Sequence, residues 1–416
     1  MQKLTVDPSE DPVTSDVLFA LQLRTANEPF LPRLKSFECE GVTEAFIPFL
    51  PFFLSHKTVR VKVGFAQGSP IIMIASMIAR LSTICSHLER ITLNYLPRDS
   101  VITEAVSEML LASNRDTLQW FLVTSPLTEE ARGVLYQLPR LCQLWTFIQG
   151  PILLPPVTLP SISAIDLEYD HGHDWLRGFS GAKLGKLKSV TFRTRAESTQ
   201  ITNFLEEFQS VGLTTSITNT LSRFRFRTLQ SWNPNYSSLH AFERLTELEI
   251  EFSCSAGCSS RVDDDIIISL AGAMPKLKIL QLGKAPCQAP TGVTLKGLVA
   301  LACRCLHLSK LCIYFQAHRL AEAATNTEPL PPSEQRPAVI PRSDCALTDL
   351  QVGEAPIPRR AALAIALALL HVFPQILNVE YVNPQWKIVV ETIELSRRIG
   401  GHIHHASKTH LLIHLR

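Results

Sequence analysis

The sequence predicts an α/β repeat protein in which short parallel strands alternate with helices. One apolar phrase recurs along the 416-residue chain, and segments with helical periodicity follow many of its copies. With 46% apolar and 19% charged residues, the chain can bury a large core. Its 40 Lys and Arg residues nearly balance its 38 Asp and Glu residues, which argues against a general binder of nucleic acids or of anionic membranes.

The recurring phrase has an aliphatic residue, two variable residues, a second apolar residue, one variable residue and usually a third apolar residue. Leu88-Glu-Arg-Ile91-Thr-Leu93 is a clear example. The copies begin at Leu34, Leu88, Leu118, Leu141, Ile162, Leu187, Leu245, Leu277, Leu308, Leu347 and Ile376. Two gaps are nearly double length, and each contains a strand-like stretch, one at 59–63 and one at 224–226. Once both gaps are split, the mean spacing is about 28 residues, which matches the roughly 20–29-residue period of leucine-rich repeats.

Each phrase predicts a strand, and the segment after it usually predicts a helix. The second and third apolar residues are two apart, so they lie on one face of a short strand. Helical periodicity follows at 69–78, 198–205 and 263–270, and Ser, Thr or Asp opens many of these segments as a helix N-cap would. One strand and one helix cannot bury their apolar faces alone. The copies are therefore expected to stack into a solenoid, with parallel strands on the concave face and helices on the convex face.

Two segments have competing interpretations. The apolar run from Ala361 to Phe373 is predicted to be an outer helix, because it is shorter than the about 20 residues that a membrane-spanning helix needs. The run Asp263-Asp264-Asp265 directly precedes an apolar helix, where carboxylates cap the helix and offset its dipole. Helix capping is therefore favoured over a cation site at these aspartates.

The chain is expected to consist of an N-terminal segment, residues 1–30, and a repeat array, residues 31–416. Within the array, residues 317–344 are rich in Pro, Ser, Thr, Gln and Asn, which predicts a disordered insertion. The opening residues lack the apolar stretch of a secretory signal. Ten cysteines at irregular spacing fit a reducing compartment. We therefore expect a cytoplasmic or nuclear protein that does not bind membranes.

The repeat region also resembles a known family. Within 245–315 the chain reads Leu-Thr-Glu-Leu-Glu-Ile, then the aspartate run, then Ala-Met-Pro-Lys-Leu ending at Leu277, and then Ala-Pro-Thr-Gly-Val-Thr-Leu-Lys-Gly-Leu ending at Leu298. This segment is similar to the leucine-rich-repeat region of fungal F-box proteins, and the similarity extends more loosely over most of the chain. The resemblance implies a ribonuclease-inhibitor-like solenoid that holds a target protein for a Skp–cullin–RING ubiquitin ligase.

The resemblance does not include an F-box. This small helical module, which binds a Skp-type adaptor, is expected at the start of such proteins. Here the acidic opening passes quickly into the first phrase at Leu34, and no such module fits before it. The implied partner is therefore a target protein, with a Skp-type adaptor as a further candidate. The alternative is a leucine-rich-repeat scaffold or inhibitor with no role in ubiquitin-dependent degradation.

Candidate binding residues follow from the strand geometry. Residues that alternate with the apolar anchors are expected to face the concave surface. The candidate protein-binding residues are Arg90, Trp120, Trp145, Phe147, Asp166, Glu168, Arg193, Glu249 and Glu251. Exposed aromatic rings bordered by charges are typical of interface hot spots. Two alternatives stay open: the rings belong to the core of an irregular stretch, or the charges form a solvated strand face without a partner.

No motif predicts catalysis, a cofactor or a metal site. The phosphate-binding loop, the Gly-x-Ser-x-Gly nucleophile turn and the His-Glu-x-x-His metalloprotease motif are all absent from the sequence. Neither Cys254 with Cys258 nor Cys303 with Cys305 has the second spaced pair of a structural zinc site. Near the end, histidines occupy positions 402, 404, 405, 410 and 414. The segment 409–415 is interpreted as a capping strand rather than a metal site, and the chain is expected not to be an enzyme.

Overall fold

The computed structural model describes residues 3–6, 15–25, 28–112, 116–148, 161–169, 184–195, 203–215, 217–228, 234–252, 262–283, 292–313, 344–353, 357 and 359–403. The chain divides into two compact units, Met1–Thr228 and Leu229–Arg416. In each unit, strands that follow one another along the chain pair in parallel. The chain thus has a parallel α/β architecture that is compatible with the predicted repeat fold.

The first unit holds nine strands among its described residues. They are β1 Lys3–Val6, β2 Ser36–Val42, β3 Arg60–Phe65, β4 Arg90–Asn94, β5 Trp120–Val123, β6 Gln143–Ile148, β7 Ala164–Tyr169, β8 Ser189–Thr194 and β9 Arg223–Thr228. Strands β3 and β9 lie in the two long gaps, so both degenerate copies of the phrase are confirmed as strands. Strand β1 pairs with β2, although the repeat phrase does not extend to it.

Helices connect many of these strands. The helices of the first unit are α1 Ser15–Thr25, α2 Leu50–Phe53, α3 Ile71–Ile84, α4 Ser100–Ala112, α5 Glu129–Leu135 and α6 Phe204–Thr215. Helix α3 confirms the helix predicted at 69–78 and packs against α4, which in turn contacts α5. Of the helix predicted at 198–205, only residues 203–205 are described, and α6 begins within them.

The second unit repeats the same alternation. Its strands are β10 Glu247–Phe252, β11 Ile279–Leu282, β12 Lys310–Ile313, β13 Asp349–Gly353 and β14 Asn378–Tyr381. Its helices are α7 Asp264–Ala273, α8 Leu295–Arg304, α9 Ala362–Val372 and α10 Trp386–Ile403. Helix α9 confirms that the apolar run is helical. The predicted cap of α7 is also confirmed, because the backbone N–H of Ile266 donates to Asp263 Oδ1 at 3.0 Å.

The first apolar residue of each phrase is the best-buried position of the repeat. All eleven predicted anchors are at most 1% exposed, and burying one such aliphatic side chain contributes about 1.5–3 kcal/mol. In the β9 copy this position is Leu221, which is also buried. In the β3 copy it is Thr58, whose hydroxyl donates to the backbone oxygen of Leu34 at 3.0 Å. That hydrogen bond satisfies the buried hydroxyl and explains how a threonine can occupy the buried position that is a leucine or isoleucine in the other copies.

Several predictions fall on other parts of the chain. The insertion at 317–344, apart from Asp344, lies outside the described residues, as do the pair Cys254 and Cys258, the histidines after His402 and the strand predicted at 409–415. Across the part of the chain that the structure describes, no helix has both the length and the apolar character needed to cross a membrane.

Candidate protein-binding surface

Alternate side chains of β1–β9 form a surface that we call the first open face. Along β7, every second residue is buried and those between are partly exposed, and β9 follows the same pattern. Parallel pairing aligns the partly exposed positions of neighbouring strands. Leu122 pairs with Trp145, Trp145 with Asp166, and Asp166 with Thr191, so that one row of side chains crosses β5 to β8.

Seven of the nine predicted site residues lie on the first open face. Trp120, Trp145, Asp166, Glu168 and Arg193 are partly exposed there. Arg90 is exposed. The remaining residue, Phe147, departs from its prediction as an exposed ring.

Phe147 is only 3% exposed. The guanidinium carbon of Arg98 lies over its ring, 4.1 Å from the centroid, and the side chain of Arg98 donates to Glu168 Oε1 at 2.7 Å. Phe147 therefore supports Arg98 instead of contacting a partner directly. Arg98 lies outside the strands, so strand alternation does not predict its place on this face.

An arginine joins the aromatic and acidic parts of the face. Both terminal nitrogens of Arg193 donate to the carboxylate of Asp166, at 2.7 and 2.9 Å. The same guanidinium lies 5.1 Å from the centre of the Trp145 ring. Such a bidentate pair stacked on an indole holds three side chains in one arrangement. Burial raises the pKa of the Asp166 carboxyl to about 6, although Arg193 and Arg227 oppose the shift.

Two hollows open on the first open face. The first hollow has a volume of about 560 Å³ and the second about 340 Å³. The charged residues that line the first hollow are Lys3, Lys35, Arg60, Lys62 and Arg90, with Glu38 and Glu89. Those that line the second hollow are Arg193, Arg223 and Arg225, with Asp166. Trp120 lines both hollows, and the guanidinium carbon of Arg90 lies 5.5 Å from its ring centre.

Part of the charge in the first hollow is already paired. Lys3 contacts Glu38 at 3.0 Å, and Lys62 contacts Glu40 at 2.9 Å. The hydrogen bond that Lys62 donates to Glu40 raises the pKa of Lys62. Lys35 and Arg60 form no ion pair with another described residue, and both are exposed. Arg90 is likewise exposed, has no ion pair with another described residue and lies beside Trp120. The first hollow therefore presents three cations that are open to an anionic ligand.

Most of these cations were not among the predicted site residues. Arg223, Arg225 and Arg227 alternate with Phe224 and Phe226, and this period of two is the signal that would have placed the arginines on the first open face. Lys3 and Lys35 carry no comparable signal. Lys3 lies in β1, which was not predicted, and Lys35 lies directly before the first residue of β2.

The two remaining predicted residues belong to the second unit. The alternate positions of β10–β14 form what we call the second open face. Glu251 accepts a hydrogen bond from Gln281 Nε2 at 3.2 Å. Glu249 is only 7% exposed, so the prediction of an exposed docking carboxylate is wrong for this residue. Further along the face, Asn378 Nδ2 donates to Asp349 Oδ1 at 2.7 Å, and Gln351 donates to Glu380.

The described residues offer little reactive chemistry. Burial raises the pKa of the Cys85 and Cys305 thiols to about 12, so both remain protonated at neutral pH and act as packing groups. Within the described ranges, no group of three or more His, Cys, Asp or Glu residues could hold a metal ion. Comparison of the chain with models of protein families and with curated protein sequences finds no match.

Proposed function

We propose that the chain is a leucine-rich-repeat solenoid of the ribonuclease-inhibitor type that binds a protein target on the first open face. The observation that carries this proposal is the arrangement of Trp120 and Trp145, two partly exposed indoles on the neighbouring strands β5 and β6. Arg90 lies beside the first ring and Arg193 beside the second. Tryptophan and arginine are the residues most enriched in interface hot spots. In this proposal the chain binds and presents its target and has no enzymatic activity and no cofactor.

Two roles are compatible with such a surface. By its resemblance to fungal F-box proteins, the chain would act as the target-recognition part of a Skp–cullin–RING ubiquitin ligase, in the cytoplasm or the nucleus. The second candidate is a scaffold or inhibitor with no ubiquitin role. Co-purification of the full chain with a Skp-type adaptor would favour the first candidate.

The target-binding proposal is tested by replacing both indoles. We expect Trp120→Ala with Trp145→Ala to weaken capture of the target by about 2–4 kcal/mol, as loss of a hot spot does, and to leave thermal unfolding nearly unchanged. The matched control is Ile72→Ala with Leu213→Ala, which removes two exposed apolar side chains from helices of the same unit. Loss of cooperative unfolding in the tryptophan variant would instead place the rings in the core and contradict the proposal.

A further inference from the structure

The charges on the first open face are distributed unevenly compared with the whole chain. The chain has a net charge of only +2. Yet the first hollow is lined by five cationic side chains against two carboxylates, and the second hollow by three arginines against one aspartate. The single aspartate of the second hollow is already engaged by both terminal nitrogens of Arg193. Each hollow therefore complements an anionic group, since interfaces pair opposite potentials.

The strand order sets the distance between the hollows. The first hollow is lined by residues from β1 to β5 and the second by residues from β5 to β9, so their centres lie near β3 and β7. Neighbouring strands are about 4.8 Å apart, which separates β3 from β7 by roughly 19 Å. An extended peptide covers that distance with about six residues at roughly 3.3 Å each.

The strip between the hollows is apolar. Trp120 lines both hollows, and Leu122 and Trp145 follow it toward the second. An apolar side chain at the middle of an extended segment would contact this strip while its flanking anionic residues lie in the hollows. The ligand that fits has a negative group, an apolar residue and a second negative group, in that order.

The same face disfavours a nucleic acid. Glu38 and Glu40 beside the first hollow and Asp166 and Glu168 beside the second lie among the cations. A strand with a phosphate at every nucleotide would meet these carboxylates as well as the cations, whereas a peptide with two separated anionic groups would not. Binding to nucleic acid relies on neutralising successive phosphates along the backbone.

We propose that the first open face binds an extended acidic segment of a partner protein, which runs across the strands with carboxylate or phosphate side chains in both hollows and an apolar side chain against Trp120 and Leu122. This inference rests on the proposed function and adds the chemistry of the partner. The acidic groups are either glutamates and aspartates or phosphorylated serines, because both present anionic oxygens to arginine and lysine.

The test is fluorescence anisotropy with synthetic labelled peptides and the full-length protein. The parent probe carries two glutamate pairs about six residues apart, the distance set by the strand spacing, with one tryptophan midway in a Gly and Ser background. We expect glutamine in place of either pair, or a shorter spacer, to weaken binding about tenfold. Replacing the glutamate pairs by phosphoserine separates the two sources of charge. Tighter binding of the phosphoserine probe than of the parent probe indicates a phosphorylated partner, and equal binding indicates a partner with glutamates or aspartates.

Protein variants locate the peptide on the face. Lys35→Gln with Arg60→Gln removes two of the three exposed cations of the first hollow that have no carboxylate partner among the described residues, and we expect it to remove most of the preference for the glutamate pair that this hollow receives. Arg80→Gln with Arg140→Gln is the matched control, because it removes two exposed arginines of the same unit that line neither hollow. Equal loss of affinity in both double variants would overturn the proposal.

Two further outcomes would also overturn it. One is tighter binding of a single-stranded oligouridine of similar length, and the other is a parent probe that fails to bind. If the parent probe fails while the double tryptophan variant still loses its target, the protein-binding function stands and only the acidic partner is wrong. If neither experiment shows an effect, both proposals fail together.

Discussion

The two open faces are built on the same architecture and differ in their side chains. On the first open face, arginines stack on aromatic rings and bind carboxylates, as Arg193 does with Trp145 and Asp166. On the second open face, amide side chains donate to carboxylates, as Gln281 does to Glu251. Beneath both faces, the anchor residues are equally buried. The anchors therefore determine the scaffold, while the alternate positions are free to differ and so carry the recognition chemistry.

The largest expected effect tests whether the anchors of the two units are equivalent. Leu88 and Leu277 begin their phrases in the first and second units, and both are completely buried. We expect Leu88→Ala and Leu277→Ala each to lower the free energy of unfolding by about 3 kcal/mol, because each leaves a cavity in a close-packed core. Urea unfolding of each variant measures this loss.

The control for the anchor variants is Leu122→Ala, which changes a leucine on the first open face that is partly exposed. We expect it to cost about 1 kcal/mol or less, because little apolar surface returns to water. A cost for Leu122→Ala as large as that for Leu88→Ala would mean that the open face is part of the core.

The sequence predicts the scaffold well because every copy must satisfy the same packing requirement. A leucine or isoleucine recurs at the completely buried first position of the phrase, and even the exception at Thr58 is accommodated by a hydrogen bond to the neighbouring copy. Strand β1 was not predicted, because its four residues do not contain the phrase. A repeat pattern reports only the packing that is shared by all copies.

The site is harder to predict because it depends on contacts between different copies. Phe147 has the alternation of an exposed residue, but Arg98 from a loop covers it. Lys62 and Glu40 lie on neighbouring strands and neutralise each other, which neither strand reveals by itself. Strand alternation assigns a side chain to a face, whereas its exposure and free charge depend on side chains that lie far away in the chain.

A second prediction sharpens the comparison through pH. Burial raises the pKa of Asp166 on the first open face to about 6, above the usual value of about 3.9. On the second open face, hydrogen bonds from Asn378 and Thr348 lower the pKa of Asp349. As the pH falls, Asp166 therefore takes up a proton at a higher pH in the folded protein than in the unfolded chain, whereas Asp349 takes one up at a lower pH in the folded protein. The two carboxyls should give opposite dependences of stability on pH.

The measurement is the free energy of unfolding of the parent protein relative to Asp166→Asn and to Asp349→Asn at each pH. Against Asp166→Asn, we expect the parent to gain up to about 2 kcal/mol as the pH falls from 7 to 4, because protonation relieves the cost of a half-buried charge. Against Asp349→Asn, the parent should lose stability as the pH falls below about 5. The same sign for both differences would contradict the contrast between the faces.

The smallest expected effect concerns how neighbouring copies are joined behind the second open face. Asp264, in the first turn of α7, accepts hydrogen bonds from the backbone N–H groups of Thr294 and Gly297, at 2.8 and 3.0 Å, at the start of α8. A Cβ atom on Gly297 would lie 2.6 Å from Asp264 Oδ1, closer than nonbonded atoms approach. Gly297→Ala should therefore displace the carboxylate and lower the free energy of unfolding by about 1–2 kcal/mol, in spite of the better helix propensity of alanine.

Gly272 in α7 provides the matched control for Gly297→Ala. A Cβ atom there would meet only Arg304 Nη1, at 2.9 Å, and this end of a long side chain can move aside. Because the position is exposed, Gly272→Ala should be neutral or stabilise the protein by up to about 1 kcal/mol through helix propensity alone. Urea unfolding of both variants gives the comparison. If Gly297→Ala also stabilises the protein, the carboxylate of Asp264 adjusts freely and the link between α7 and α8 does not contribute to stability.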